Sequence, residues 1–197
     1  MLRRLYLYLT VGCFLTLIIA GCCQPNASES LSVTLHPQET GMWCWAASGQ
    51  MVMDYLGHDV SQCVQANNRF GRTDCCNTPV PNDCIHGGWP EFNKYDFSFK
   101  KTTNAALSWK DLREQISTAK YCKKRPFCFT WHWDGGGGHV MVAIGYTIVG
   151  GKNYVEINDP GPPNVGDHRS ITYDAYVSGS YYTHWDDYYD ITYTGGE

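Results

Sequence analysis

The chain lacks any surplus of positive charge. Lys and Arg number 15 against 19 Asp and Glu, for a formal net charge of −4, and the one basic cluster is Lys123-Lys124-Arg125. A surface without a basic stripe has little to offer a phosphate backbone, which argues against nucleic acid as a partner. A long apolar span is missing too. The run from Leu5 to Ala20 has 16 residues, short of the ~20 that a helix needs to cross a bilayer. Also absent is the pair of short Cys-x2-4-Cys arms that encloses a structural zinc, since Cys75-Cys76 meets only the lone Cys84 downstream. Neither a metal nor an organic cofactor is expected.

What the N-terminus does hold is Arg3 and Arg4, the short apolar run, and then Ile19-Ala20-Gly21-Cys22. Small residues closing a short run favour cleavage over anchoring, and an uncleaved signal anchor is the alternative. The closing tetrapeptide resembles a lipobox, which implies removal of residues 1–21 and lipid modification of Cys22. Acyl chains there would tether the protein to a membrane, and Cys23 rather than Asp in the next position leans towards the outer membrane where there is one. Cleavage leaves 13 basic and 19 acidic residues, a net charge of −6. Residues 22–32, with Pro25, Asn26, Ser28 and Ser30, read as a polar tether. Residues 33–197 suffice for one domain with a substantial core.

The stretch from Gln38 to Tyr55 organises that domain. Gly41 suits a turn, and Ala46, Ala47, Met51, Val52 and Tyr55 follow at helical spacing. Cys44 therefore falls at the first turn of an apolar helix, where unpaired N–H groups and the helix dipole favour a thiolate. Cysteines in such settings ionise at roughly 3.5–7.5 instead of about 8.5. The competing reading is a buried or bridged cysteine.

Of the ten cysteines, Cys13 lies in the signal, Cys22 takes the lipid, Cys23 sits on the tether and Cys44 is the nucleophile candidate. The remaining six, Cys63, Cys75, Cys76, Cys84, Cys122 and Cys128, form an even set in an exported chain and read as a disulfide framework. Cys122–Cys128 is the expected local bridge, and Cys75 and Cys76 are expected to take different partners among Cys63 and Cys84.

Between Gly57 and Asp96 the chain is polar and rich in Pro and Gly, and short helices pinned by the bridges are expected there. Ser108-Trp109-Lys110-Asp111 reads as a helix start, with Leu112, Ile116 and Ala119 on its apolar face. Phe127 to Trp133 reads as a strand. Asp134 to Gly138 makes a turn, and Val140 to Val149, apolar on both faces, reads as an inner strand. Asn153 to Ile157 follows as a strand, with Ile171 to Tyr173 and Tyr189 to Tyr193 as further candidates. Helices first and strands later predict an α+β fold with a helical N-terminal part on an antiparallel sheet.

Gln38 six residues before Cys44, Trp45 directly after it, Gly138-His139 opening an apolar strand, and Asn158-Asp159-Pro160 closing the next one resemble papain-like cysteine peptidases. The last two of these motifs are similar to the bacterial branch that includes avirulence-effector proteases and double-glycine leader peptidases. The resemblance runs from about His36 to Pro160. It implies a papain-like fold, no cofactor, a peptide or protein substrate, and roles for four residues. Cys44 would be the nucleophile, and His139 the base that later protonates the leaving amine. Asp159 would orient His139, and Gln38 would donate to the oxyanion beside the Cys44 N–H. His132, on the neighbouring strand, rivals His139. Asn158 remains open as the third member, since papain itself carries an asparagine there; alternation allows only one of Asn158 and Asp159 to face the histidine. His36, His58, His86, His168 and His184 read as structural or surface residues.

A monomeric, lipid-anchored peptidase of the cell envelope is the resulting expectation. A cell-wall peptide amidase, a transglutaminase-like acyl transferase, a noncatalytic binding module and a disulfide-rich structural lipoprotein are the alternatives.

Overall fold

The computed structural model describes residues 21–196. Apart from Gly21, the signal segment expected at 1–21 lies outside them. A short β1 (Glu29–Ser30) precedes α1 (Cys44–Tyr55) and α2 (Gln62–Phe70). Two 3-10 turns, Asn82–Cys84 and Phe92–Tyr95, lead to β2 (Phe97–Lys101) and α3 (Trp109–Ile116). Then come β3 (Phe127–Trp133), β4 (Gly138–Val149), β5 (Lys152–Asp159), β6 (Asp167–Thr172), α4 (Tyr173–Val177) and β7 (Tyr182–Tyr193). The fold is α+β.

The sheet is antiparallel in the order β2-β7-β3-β4-β5-β6, and β1 joins the β4 edge beyond the end of β3. The residues of β4 explain its central place. Val140, Val142 and Ile144 face one core, packed with Met51, Val52 and Cys128 under α1. Met141 and Ala143 face a second core of Phe127, Phe129, Leu112, Ile116 and Tyr176 under α3 and α4. A strand covered on both faces must be apolar on both. At the start of α3 the Ser108 side chain accepts the Asp111 N–H at 3.1 Å, capping the helix.

Four expectations change. The Cys122–Cys128 bridge does not form. Cys128, the second residue of β3, points into the α1 core, is fully buried, and lies with its Sγ 3.5 Å from the Ser48 carbonyl oxygen. Cys122 sits in the loop before the strand and pairs with Cys23, 99 residues away, while the other bridges are Cys63–Cys76 and Cys75–Cys84. The tether is also bound: Cys23 is bridged, Glu29 and Ser30 pair with Tyr146 and Gly145, and the Asn26 carbonyl accepts the Tyr146 hydroxyl at 2.9 Å. The last strand runs over Tyr182–Tyr193 rather than from Tyr189, because its early half pairs with β3 and needs no apolar alternation of its own. Finally, the strand expected at 171–173 occupies Asp167–Thr172, a polar edge that periodicity hides.

Residues 21–196 hold both cores, the sheet and three disulfides, so this span folds as a unit. No helix among them is long and apolar enough to cross a membrane.

Candidate active site

Cys44 is the first residue of α1 and is partly exposed, between two fully buried tryptophans. As a first-turn residue its N–H has no intrahelical acceptor. The tryptophans tie the helix start to the disulfide-rich segment: Trp43 Nε1 donates to the Cys84 carbonyl at 2.7 Å and Trp45 Nε1 to the His86 carbonyl at 3.2 Å. Cys75–Cys84 and Cys63–Cys76 hold that segment in turn. It continues into Gly88, where an added Cβ would lie 2.9 Å from the Trp45 ring. No side chain fits between the wall and the helix. The short helices expected in this region therefore serve to press a glycine-lined wall against the nucleophile candidate.

His139 is the second residue of β4, where the glycine turn enters the sheet. Its Nε2 lies 2.6 Å from Asp159 Oδ1, at the end of the neighbouring strand β5. Cys44 lines the same cleft as His139 and acts on the ring electrostatically, and with Nε2 occupied by Asp159 the nitrogen left for sulfur is Nδ1. Burial alone would pull the His139 pKa down. The hydrogen bonds and negative charges of Asp159 and Cys44 outweigh it and push the pKa up to about 9. Burial disfavours the Asp159 charge as well, yet His139, the Gly161 N–H and Arg169 together hold its carboxyl below the usual range. The geometry thus favours an imidazolium clamped between a carboxylate and a sulfur.

Asn158 faces away. Its Nδ2 donates to the Val33 carbonyl at 3.1 Å, and its Oδ1 meets His168 Nδ1 at 2.8 Å. His132 stands opposite Gly138, with its ring centroid 4.7 Å from that of Trp185 and clear of the cleft lining. The other histidines are engaged elsewhere: His36 with Asp54, His58 on Tyr193, His86 against Phe70, His168 with Glu156, and His184 with Asp187.

Gln38 is buried and its Nε2 donates to the Thr40 carbonyl at 2.8 Å. That bond orients the amide and leaves its second N–H for the cleft. The Gln38 backbone donates to the Pro160 carbonyl and accepts from the Asn164 N–H, so the loop that follows Asp159 sets the position of Gln38. Gly161 lies at the centre: a Cβ there would be 3.4 Å from Asp159 Oδ1, 3.7 Å from Gln38 Oε1 and 3.7 Å from His139 Cε1.

These groups open onto a cleft of about 660 Å³ with Met42, Trp89, Trp131, Trp133 and Trp185 along its walls. Arg169 reaches it from β6, donating from Nη2 to Asp159 Oδ2 at 2.8 Å and from Nη1 to Asp167 Oδ2 at 2.6 Å. Sequence reasoning missed Arg169, Gly161, Trp89 and Trp185. Only the register of β6 on β5 brings Arg169 to the carboxylate, and no local pattern encodes that register.

Residues 30–191 match the Peptidase_C39 like family. No curated protein matches the chain. Among solved structures, it is similar to a chain from the structural study of limited antibody cross reactivity between the mite allergens Blo t 1 and Der p 1. The TM-score is 0.53 at 13% identity, over 87% of this chain and 73% of that one. Identity that low speaks for the fold alone, and the fold is papain-like. Because the family match spans most of the chain, the protein belongs to the Peptidase_C39-like family and is a papain-like cysteine peptidase.

Proposed function

We propose that the protein is an exported, lipid-anchored peptidase that works through Cys44, His139, Asp159 and Gln38. The observation that carries this reading is His139 held 2.6 Å from Asp159 and lining one cleft with Cys44 and Gln38. Asp159 holds the ring with Nδ1 towards the sulfur, and His139 keeps the proton that Cys44 gives up. The sulfur attacks the scissile carbonyl carbon, and the oxygen takes the negative charge. The free Gln38 amide N–H and the Cys44 N–H donate to it. Collapse breaks the C–N bond, His139 protonates the departing amine, and a thioester remains on Cys44. A water then gives its proton to His139 and attacks the thioester, releasing the carboxylic acid product and restoring Cys44 with its proton on His139.

The glycines at 87, 88 and 138 on the cleft walls let an extended peptide approach the backbone closely, and the tryptophans suit large apolar side chains. Residues 1–21 would be the export signal and Cys22 the acylated residue, placing the enzyme on an envelope membrane. Three disulfides accord with an oxidising compartment.

The test is pH-dependent alkylation of the folded span with mass-spectrometric mapping, beside a His139→Ala variant and followed by a peptide library. Rapid labelling of Cys44 at about pH 5–6 that vanishes in the variant supports the reading. Labelling only above about pH 8, as for an ordinary thiol, overturns it.

A further inference from the structure

The end of the domain that carries Cys22 has its own surface chemistry. Cys23 is bridged to Cys122, which puts the loop Lys120 to Arg125 one residue from the proposed acylation point. No acidic residue lies between Glu114 and Asp134, a stretch holding Lys120, Lys123, Lys124 and Arg125. Asp190 pairs with Lys100 at 2.8 Å, Lys123 at 3.0 Å and Arg125 at 3.2 Å, and one carboxylate cannot neutralise three cations. Lys120 sits 4.8 Å over the ring of Tyr121, which is 58% exposed. The chain as a whole is acidic, at a net −4, so this basic end stands out by sign.

The β4–β5 hairpin tip shares that end of the sheet. Glu29 pairs with Tyr146, so the N-terminal segment runs back towards the tip. There Ile148 and Val149 are 45% and 61% exposed, with Lys152 just past the turn. Exposed apolar side chains beside lysines are what an acidic lipid surface accepts. The cleft lies at the other end. Strand β3 leaves the loop at Phe127 and reaches the cleft at Trp131 and Trp133, a run of about 20 Å at ~3.3 Å per residue.

We infer that this end is a docking surface for an anionic bilayer. Tyr121, Ile148 and Val149 enter the headgroup layer, Lys120, Lys123 and Lys124 meet lipid phosphates, and the cleft faces away from the membrane. The inference rests on the proposed acylation of Cys22 for lasting attachment, while the surface acts by itself. The acyl chains supply the anchorage, and the basic patch adds attraction to acidic lipid and fixes which face meets the membrane. Because the bridge leaves no slack, the domain is held in one orientation, and its substrates are proteins of the surrounding aqueous space rather than of the bilayer interior.

The test is hydroxyl-radical footprinting of residues 21–196 with vesicles containing phosphatidylglycerol, with pure phosphatidylcholine vesicles, and with none. Two tyrosines report the two ends: Tyr121, and Tyr181, which is 78% exposed and precedes the residue paired with Trp133. Oxidation of Tyr121 should fall on the anionic vesicles only, with Tyr181 unchanged. The doubly substituted Lys120→Glu, Lys124→Glu variant should partition at least about tenfold more weakly. Equal labelling of Tyr121 in all three conditions, or protection of Tyr181, overturns the inference. The mass of the intact chain taken from membranes decides the acylation of Cys22 separately.

Discussion

Two histidines in this protein are each buried beside an aspartate, and they do different work. His139 and Asp159 lie 2.6 Å apart, with side chains 18% and 10% exposed; His184 and Asp187 lie 3.1 Å apart at 3% and 0%. In both, burial lowers the histidine pKa and the carboxylate more than reverses it. The difference is what the second nitrogen meets. His184 Nδ1 donates to the Tyr176 carbonyl at 2.9 Å, while Asp187 also accepts the Leu107 N–H at 2.6 Å and the Tyr176 hydroxyl at 2.7 Å. Every partner there is a fixed protein group, so the pair joins α4 to the sheet. The second nitrogen of His139 is left to the cleft that Cys44 also lines. The same pair of side chains therefore makes a strut in one place and, in the proposed mechanism, a reactive centre in the other.

Substituting the two histidines separates these roles most sharply. His139→Ala should lower peptide hydrolysis per folded molecule by about 10⁴-fold and also lower the urea midpoint at neutral pH, because its pairing with Asp159 supports the fold. His184→Ala should leave kcat per folded molecule intact and cost about 3–5 kcal/mol of stability, because Asp187 stays buried without its counter-charge. A His184→Ala chain that unfolds normally but turns over slowly would break the comparison.

Exchanging the aspartates for their amides comes next. Asp159→Asn should reduce kcat by about 10²–10⁴-fold, whereas Asp187→Asn should show up in denaturation and not in rate. Gln38→Ala should cost about 10²-fold in kcat with little effect on KM, the mark of a group that acts on the developing oxyanion.

Arg169→Lys tests the support behind Asp159. A lysine keeps the charge but cannot bridge Asp159 and Asp167 with one planar group, so a fall of about tenfold in kcat is expected, small beside loss of the carboxylate.

The smallest effect is a shift in pH profile. The His139 pKa rises from its ordinary 6.5 to about 9 in the folded protein. Its pairing therefore stabilises the fold fully below about 6.5, and that contribution is lost as pH rises through about 9. Activity that needs the imidazolium should decline through the same window, and Asp159→Asn should move that limb to lower pH. His184 is also raised, so its share of stability likewise fades on the alkaline side. Rate and denaturation profiles taken on the same samples distinguish the two.

Much of the site was readable because its signals are local. A cysteine after a glycine turn and before a helical apolar pattern, a histidine where glycines enter a buried strand, and a carboxylate before a proline each sit at an element boundary. Turn chemistry and periodicity mark such boundaries. The alternation argument said that only one of Asn158 and Asp159 faces the histidine; the resemblance favoured Asp159, and the strand register is what turns it there. Other features had no local signature. Cys23 and Cys122 meet across 99 residues, and Cys128 fails to pair because strand pleat turns it under α1. The first half of β7 lacks alternation of its own because its partner strand β3 defines it.

By itself, then, the sequence determined the α+β class, the helix that begins at Cys44, and the chain positions of the side chains that the fold gathers at one cleft. These follow from spacing over a few residues. Only the tertiary structure decided that Asp159 and not Asn158 reaches His139, that Arg169 braces it, that Cys122 holds the N-terminal segment, and that the cleft opens at the opposite end of β3. Those outcomes depend on strand register and on contacts between distant segments. A shift of one residue in either would turn a side chain to the other face.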